Sequence, residues 1–419
     1  MERAEITTDL LTPLGAYLRL RAAAGASFLL ESVEQGRLGR HSFLGSGSRV
    51  VSVEEAEALD EPVVGYLAYD HVAKLEPTVP LPAAGADVPE SRFVVADTLV
   101  RFDHGSGTAT VLAGDRDEIA QRLEKELVFQ KHKVRSPAGR TRRFPERAEY
   151  EAGVRRIQEH IRAGDAYQVV LSQRAERPTG ASALELYRAL RRINPSPYLF
   201  LLELDGLALI GSSPETLVKC EQGRASLNPI AGTTHPGEGD AERLLASEKD
   251  RAEHVMLVDL GRNDLSRVCR AGSVRVERFL EPERFSHVTH LVSEVRGELR
   301  DGIAPFDVLR ACFPAGTVSG APKVRAMQIV SELEGHRRGP YAGAVGYALP
   351  GRPGEGGTLD TCIAIRTILL HDGVARLQAG AGIVADSDPG AEHEECLNKL
   401  AALEAAIDLA EAEFAPGSR

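Results

Sequence analysis

Hydrophobic and polar residues alternate in short runs over the first part of the chain, and several later segments repeat every three to four residues. Short apolar runs bounded by glycine turns predict strands, because successive side chains of a strand lie on opposite faces. The runs predict strands at Phe28–Ser32, His41–Leu44, Val63–Tyr69 and Arg92–Phe102. A helix is predicted after them, near 116–129.

The next part of the chain opens with a helical stripe. Tyr150, Val154, Ile157 and Ile161 are spaced as on one face of a helix. A Gly-Asp pair ends this helix and a strand is predicted over 166–173.

The same two periodicities predict most of the remaining elements. Asp205-Gly206 between two apolar runs predicts a hairpin. Further strands are predicted at 198–204, 207–212, 341–349, 359–370 and 374–380, and helices at 239–262, 304–312, 322–334 and 390–411. Because the strands arrive in hairpins rather than in strict alternation with helices, we predict an α+β fold with largely antiparallel sheets packed together and helices outside.

Composition indicates a linker between two regions. Residues 130–145 hold six Lys or Arg and no acid, together with Pro, Gly and Ser. This pattern is typical of a solvated linker, with a nucleic-acid or membrane arm as the alternative. We predict an N-terminal region at 1–129, the linker at 130–145 and a region carrying the candidate site at 146–419.

Charge and cysteine usage narrow the class of protein. The 419 residues include 50 Lys+Arg and 61 Asp+Glu, a net charge of −11, which argues against nucleic acid as the main partner. Five cysteines without C-x-x-C spacing indicate reduced thiols rather than disulfides or a zinc site. No signal pattern and no apolar run long enough for a bilayer is present, so we expect a cytoplasmic protein.

The stretch 228–267 contains the first candidate site. The turn at Gly232-Thr233 lets backbone N–H groups approach a ligand closely. Asp250 and Glu253 lie three residues apart on a predicted helix, where two carboxylates repel each other unless a cation lies between them. A metal site is the hypothesis, and an exposed acidic helix face is the alternative.

Two further candidates are an acid and a histidine. Glu215 follows a proline at the end of a predicted strand, which suits a general acid, although a solvated turn residue has the same pattern. His287 and His290 would face opposite sides of a strand, so a shared metal is disfavoured. One catalytic or hydrogen-bonding histidine is the hypothesis, with a half-buried structural histidine as the alternative.

Two glycine-rich segments suit anions. Residues 313–323 lead through two glycines into a helix start with Lys323, but they lack the order of a P-loop, so a nucleotide site is not supported. The turn at 380–382 precedes Glu395 and Lys399, which are spaced as a surface ion pair or as a cation site facing an anion at the turn. Together the clusters suggest a site for a small polyanion with Mg²⁺.

At these residues the chain resembles the chorismate-utilising enzymes, in particular anthranilate synthase component I. The resemblance covers about 151–409, more weakly the N-terminal part, and implies two large, mostly antiparallel sheets packed as a sandwich. It rests on SSPET, NPIAGT, AEHVMLVDLGRNDLSR, FSHVTHLVS, FPAGTVSGAPKVRAM, LDTCIAIRT, AGAGIVADSDP and EECLNK, which occur in the family's order.

The resemblance implies a role for each matching residue. Glu253 and Glu395 would bind Mg²⁺, with Asp250 and Glu392 or Glu394 as partners through water. The catalytic residues would be Glu215, as the acid that protonates the departing C4 hydroxyl, His290 near the ring, and Thr317 in the pocket wall. Substrate would contact Gly232, Thr233, Tyr341, Arg366, Gly380, Ala381, Gly382 and Lys399.

The implied reaction adds ammonia to C2 of chorismate and then eliminates pyruvate to give anthranilate, the first committed step of tryptophan biosynthesis. No cysteine of this chain has the glycine-flanked setting of a glutaminase nucleophile, so a separate glutamine amidotransferase subunit is the expected partner. A heterodimer and a heterotetramer both stay open.

Two positions distinguish relatives. Aminodeoxychorismate synthases commonly have a nucleophilic lysine where this chain has Ala231, and isochorismate and salicylate synthases have a lysine base where it has Gln168. Both differences favour anthranilate as the product of the reaction. The alternatives are an aminodeoxychorismate synthase and a silent, tryptophan-binding regulatory relative, which would not need Glu215, Glu253 and Glu395 together.

The resemblance also implies a feedback site for tryptophan. The inhibitor would contact Glu31, Ser32, Pro197, Tyr198 and Leu199. The N-terminal region is shorter than is usual in the family, and leucine stands at 199 where methionine is often found, so the strength of inhibition stays open.

Overall fold

The computed structural model describes residues 5–22, 25–32, 40–127, 139–234, 237, 239–284, 289–351 and 356–414, with only the backbone at 231, 233, 249 and 414. Within this part of the chain, no helix combines the length and the apolar composition needed to span a bilayer.

The described strands are β1 Ile6–Thr7, β2 Ala26–Glu31, β3 His41–Gly47, β4 Arg49–Val51, β5 Val63–Leu67, β6 Ser91–Val95, β7 Thr98–Asp103, β8 Thr108–Ala113, β9 Arg142–Phe144, β10 Gln168–Pro178, β11 Tyr198–Leu204, β12 Leu207–Ser213, β13 Thr216–Glu221, β14 Arg224–Leu227, β15 Ile230–Thr234, β16 Arg275–Arg284, β17 Thr289–Glu298, β18 Gly320–Ala321, β19 Ala344–Leu349, β20 Thr358–Ile363, β21 Thr367–His371 and β22 Val374–Ile383. The described α-helices are α1 Pro13–Leu20, α2 Val53–Glu57, α3 Val72–Leu75, α4 Arg116–Glu124, α5 Arg147–Arg162, α6 Ala183–Ile193, α7 Asp240–Ala246, α8 Glu248–Ser266, α9 Pro305–Cys312, α10 Lys323–Glu334 and α11 Pro389–Phe414.

The strands form two sheets. Sheet A has the order β1-β8-β7-β3-β2-β11-β12-β21-β22-β10-β18, with β9 beside β10. Sheet B has the order β15-β17-β14-β13-β20-β19-β5-β6-β4, with β16 beside β17. Neighbouring strands run antiparallel, as the hairpin pattern predicts. Strands from the region 1–129 belong to both sheets, so this region and the rest of the chain build one sandwich.

Apolar side chains fill the space between the sheets. Phe28, Phe200 and Leu209 of sheet A pack in one buried cluster with Val64 and Val345 of sheet B. On the outer face of sheet A lie α6 and α11, and on the outer face of sheet B lie α8 and α9. The α+β sandwich with helices outside is therefore confirmed.

Two predicted strands are each divided between the sheets. The run 359–370 is two strands, β20 in sheet B and β21 in sheet A, and the run 92–102 is β6 in sheet B and β7 in sheet A. Each run is rich in apolar residues on both sides of the crossing, and a period of two does not show where a chain changes sheet. Pro214-Glu215 makes the same kind of crossing between β12 and β13.

One predicted helix and the predicted linker also differ from the prediction. The helix predicted at 239–262 is α7 and α8, because the Ser247 hydroxyl accepts a hydrogen bond from the Asp250 N–H and starts a new helix. Within the predicted linker, β9 pairs with β10, which makes that end part of sheet A. The rest of the linker up to 138 lies outside the described residues.

Candidate active site

Two sheet crossings meet at the candidate site. The Ser212 N–H donates to the Arg366 carbonyl (3.1 Å), and the Ile363 N–H donates to the Glu215 carbonyl (3.0 Å). Arg366 has a positive φ of 50°, a conformation that few non-glycine residues adopt. These two backbone bonds bring the predicted acid and a predicted substrate-binding cation together from positions about 150 residues apart in the chain.

Burial changes the chemistry of Glu215. It raises the pKa of the Glu215 carboxyl from an ordinary 4.5 to about 7, while the nearby Thr317 hydroxyl and the charges of Lys399 and Arg366 lower it to a smaller extent. A carboxyl with this pKa is protonated in a large fraction of molecules at neutral pH and can donate a proton. Glu215 and Thr317 also line one cavity of about 40 Å³.

The prediction of a turn at 380–382 is wrong, because these residues continue strand β22 beside β10; we keep glycine turn only as the name of this segment. Gly380 is registered with Ser172, and Gly382 with Val170. A Cβ atom at Gly380 would lie 2.8 Å from the Tyr341 hydroxyl, so glycine is required there and the tyrosine lies over the turn. The Ala381 methyl is fully buried in the cluster under α5 and α10, so this residue offers its backbone.

Both predicted Mg²⁺ ligands are connected to this turn. The Gln168 amide donates to Glu253 (3.0 Å) and lies 2.6 Å from where a Cβ atom of Gly382 would be. The Lys399 ammonium donates to the Gly380 carbonyl (2.7 Å) and forms an ion pair with Glu395 (2.7 Å). Gln168 thus connects Glu253 to the glycine turn, and Lys399 connects Glu395 to it.

The available carboxylates suit Mg²⁺ better than a metal ion whose ligands all come from the protein. No group of three or more His, Cys, Asp or Glu residues suited to a metal occurs in the described part of the chain. Mg²⁺ commonly takes one or two protein carboxylates and completes its shell with water and substrate oxygens. Glu253 and Glu395 would supply two such carboxylates, provided that the substrate supplies further oxygens.

The other acidic candidates differ in their burial and in their contacts. Asp250 lies against Gly232, where a Cβ atom would be 3.3 Å from the aspartate Cβ. Glu392 is buried, whereas Glu394 is exposed and paired with Arg147 (2.9 Å). Asp250 and Glu392 therefore fit a supporting role better than Glu394 does.

His290 lies on β17 with its ring largely buried. The ring Nδ1 lies 2.9 Å from the Gly232 carbonyl, which can only accept, so Nδ1 carries the proton. Burial lowers the pKa of His290, the bond to Gly232 raises it, and the Arg366 charge lowers it. The neutral ring is favoured at pH 7. His287, and the side chains of Thr233 and Ala231, lie outside the described residues.

The anion hypothesis for the segment 313–323 is weakened by the structure. Lys323 is paired with buried Asp264 (2.7 Å) and also donates to the Cys312 carbonyl (3.2 Å). Its charge is thereby compensated by the protein itself.

A buried pair behind the site was missed by sequence reasoning. Arg338 and Glu334 form an ion pair (2.7 Å), and the Arg338 guanidinium stacks on the ring of Tyr341 at 5.6 Å from its centroid. Glu334 also accepts from the Ser172 hydroxyl (2.7 Å) beside the glycine turn. The i, i+4 spacing of Glu and Arg was the available signal, but that spacing is more typical of an exposed helix surface.

The five predicted tryptophan-site residues line one cavity of about 50 Å³ between the sheets. The Ser32 hydroxyl donates to the Pro197 carbonyl (2.8 Å), which joins β2 to the start of β11. Glu31 offers its backbone to the cavity, because its carboxylate accepts from Tyr187 (2.6 Å) and Arg191 (2.8 Å) on α6.

Leu199 is registered with Glu31 and also directs its side chain toward the helices. Tyr198 packs instead on the inner face, and its hydroxyl is bonded with Thr216 (2.8 Å). Sequence reasoning missed the other lining residues, among them His41, Phe43, Tyr347 and Asp360.

Comparison with known proteins agrees with the predicted fold and family. Residues 12–405 match the family of chorismate binding enzymes. The chain belongs to this family of enzymes.

Several of its relatives within the family are anthranilate synthase components. The probable anthranilate synthase component 1 of Schizosaccharomyces pombe is 43% identical, with 98% of this chain and 93% of that protein covered. The Thermus thermophilus component 1 is 41% identical, with 98% of both covered. The crystal structure of component I from Streptococcus pneumoniae TIGR4 is 32% identical, with a TM-score of 0.76 over 95% of this chain and 99% of that one. The predicted resemblance and enzyme class are thereby confirmed.

A more distant structure shares the fold alone. The menaquinone-specific isochorismate synthase of Escherichia coli has a TM-score of 0.75 at 21% identity, with 96% of this chain and 94% of that one covered.

Proposed function

We propose that this protein is the large subunit of anthranilate synthase, which uses Mg²⁺ to aminate chorismate at C2 with ammonia and eliminates pyruvate to give anthranilate. The observation that carries the proposal is Glu215, a carboxyl with a pKa of about 7 influenced by the cations Arg366 and Lys399. Relatives of about 40% identity over nearly the whole chain support the same choice.

Substrate binding would use the cations and the glycine turn. Arg366 and Lys399 would attract the two carboxylates of chorismate, and the backbone of Gly380 and Gly382 admits an anion closely. The Tyr341 hydroxyl over the turn would add a hydrogen bond. These contacts would hold the ring still relative to Glu215.

Glu253 and Glu395 would hold Mg²⁺, which when bound supplies charge stabilisation and orientation for a substrate carboxylate. Lys399 contacts both Glu395 and the turn, so it would link the metal ligand to the bound anion.

Proton transfer would begin at Glu215, which would give its proton to the departing C4 hydroxyl as ammonia adds at C2. With Nδ1–H bonded to Gly232, the lone pair of His290 is on Nε2, the atom that could accept or relay a proton near the ring. Later loss of pyruvate would complete the aromatic product.

Two residues support ammonia as the nucleophile. Ala231 has no group that could attack C2. Gln168 uses its amide to bind Glu253, and an amide does not act as a base toward water. Ammonia would come from a glutamine amidotransferase partner, which the component 1 names of the relatives support.

Feedback inhibition by tryptophan is the third part of the proposal. The cavity at Ser32, Pro197 and Tyr198 lies between the sheets and is lined by aromatic rings, which suits an indole. Inhibition there would fit an enzyme at the first committed step of tryptophan biosynthesis.

The deciding experiment supplies the purified chain with chorismate, Mg²⁺ and ammonium and monitors anthranilate fluorescence. Anthranilate supports the proposal. Formation of 4-amino-4-deoxychorismate instead would favour an aminodeoxychorismate synthase. Tryptophan binding without any product would favour a silent regulatory relative.

A further inference from the structure

A third cavity, of about 50 Å³, lies on the inner face of sheet A and is lined by β10, β12, β21, β22 and the segment after α10. We call it the arginine pocket, defined by Arg174, Arg337 and Arg376. Glu176, Arg338 and Gln378 also line it. Of the predicted substrate residues, only Tyr341 does so, which separates this cavity from the site at Glu215.

Positive charge exceeds negative charge in the arginine pocket. Glu176 is the single carboxylate among its described lining residues. The Glu176 oxygen lies 3.6 Å from an Arg174 nitrogen and 3.7 Å from the Arg376 Nε, both too long for good hydrogen bonds. Arg338 is compensated by Glu334, whereas Arg337 donates its Nε to the Pro82 carbonyl (3.0 Å) and gains no counter-charge there.

One guanidinium nitrogen of this pocket lacks an acceptor. The Arg376 Nη1 is buried and has no hydrogen-bond partner among the described residues. A buried charged donor without a partner is destabilising, since it has lost its water and gained nothing in exchange. Arg174 is held beside it by stacking on the Phe144 ring, 4.8 Å from the centroid.

We propose that the arginine pocket binds a small oxyanion, a phosphate or carboxylate group, between Arg174 and Arg376. The planar guanidinium fork matches the oxygens of either group. The cavity volume is a few times the about 10–15 Å³ that one water requires, so it admits an oxyanion head group.

The location gives such an anion a route to the catalytic site. Tyr341 lines the arginine pocket and also lies over Gly380. Gln378 lines the pocket too, and its amide donates to the Ser172 hydroxyl (2.7 Å) beside the same turn. An oxyanion at Arg376 would therefore contact side chains that support the glycine turn.

The test titrates the full chain with inorganic phosphate while sodium chloride keeps the ionic strength constant, and measures binding by calorimetry and by the midpoint of thermal unfolding. Saturable heat and a rising midpoint are expected, because a ligand that binds the folded state stabilises it. A parallel titration with acetate distinguishes a phosphate site from a carboxylate site. If neither anion exceeds chloride in effect, the proposal is overturned.

Three variants test whether the phosphate binds in the arginine pocket. Arg376→Gln removes a charge-assisted bond and should weaken phosphate binding about tenfold. Glu176→Gln removes the competing carboxylate and should strengthen binding, a gain that a damaged fold would not produce. Arg49→Gln on β4, where Arg49 pairs with Glu61 on the exposed surface, is the charge-matched control and should leave binding unchanged. Equal weakening in Arg376→Gln and Arg49→Gln, or no gain in Glu176→Gln, would contradict the site.

Discussion

At the scale of single residues, the environment of a side chain decides what it can do. Glu215 and Glu253 are both glutamates, but burial raises the pKa of Glu215 to about 7, whereas Glu253 accepts a hydrogen bond from Gln168 near the glycine turn. Composition and spacing do not distinguish such roles, because each depends on neighbours that are distant along the chain.

The proton role of Glu215 predicts a pH dependence. The carboxyl is protonated below its pKa of about 7 and charged above it, so turnover per unit of free ammonia should fall as pH rises through about 7. Glu215→Gln should lower kcat by about 10²- to 10⁴-fold while chorismate still binds. The measurement is the pH profile of ammonia-driven turnover, with substrate binding measured by calorimetry. A wild-type profile without an alkaline decline would refute the role.

The two carboxylates near the turn predict a dependence on Mg²⁺. Glu253→Gln and Glu395→Gln should each abolish Mg²⁺-dependent turnover, because each loses an oxygen charge that a hard cation requires. Glu404→Gln, on α11 but paired with Arg143, is the matched control and should remain active. Activity is titrated with Mg²⁺, and circular dichroism checks folding. Full activity in either glutamine variant would rule out that ligand.

At the scale of elements, the helices and hairpins match local patterns, whereas the passage of strands between the sheets does not. The stripe from Tyr150 to Ile161 predicts α5, and the Asp205-Gly206 turn predicts the β11–β12 hairpin; both are confirmed. The crossing at Arg366 lies inside a run that looks like one strand. The location of the crossing depends on which sheet each half of the run joins, and this is decided by pairing with strands that are distant in sequence.

Close packing between neighbouring strands of sheet A predicts the effect of a methyl group in β12, where Gly211 is paired with Phe200 of β11. A Cβ atom at Gly211 would lie 2.0 Å from the ring of Phe200, which is buried in the central core. Gly211→Ala should lower the free energy of unfolding by about 1–3 kcal/mol, as overpacking does elsewhere. Gly105→Ala, in an exposed turn where the new atom meets only an Asp103 oxygen, is the control. Denaturant midpoints compare the two, and equal midpoints would contradict the packing argument.

At the scale of the whole molecule, one sandwich contains the proposed catalytic residues and the proposed inhibitor cavity. The N-terminal strands β2 and β3 and the later strands β11, β19 and β20 line that cavity together. Neither region alone would enclose this cavity. The resemblance indicated five of its lining residues, whereas those on β19 and β20 become visible only once the strands are assembled.

The shared cavity predicts a separable regulatory defect. Ser32→Ala removes the hydroxyl that bonds to Pro197 across the two regions, so tryptophan should inhibit about tenfold less strongly if one hydrogen bond of ordinary strength is lost. Turnover without tryptophan should persist. The measurement is the tryptophan concentration that halves ammonia-driven turnover, with exposed Ser48→Ala as control. An unchanged value in Ser32→Ala would remove this serine from the inhibitor site.

The amino-acid sequence by itself determined the helices, the hairpins, the α+β class and the residue types of the site, because periodicity, turn chemistry and motifs are local properties. Only the tertiary structure decided where the chain changes sheet, how far burial raises the pKa of Glu215, which side of β2 the Glu31 carboxylate occupies, and that Arg174 and Arg376 share one cavity. These properties arise from contacts between residues far apart in sequence, and desolvation and charge act through space rather than along the chain.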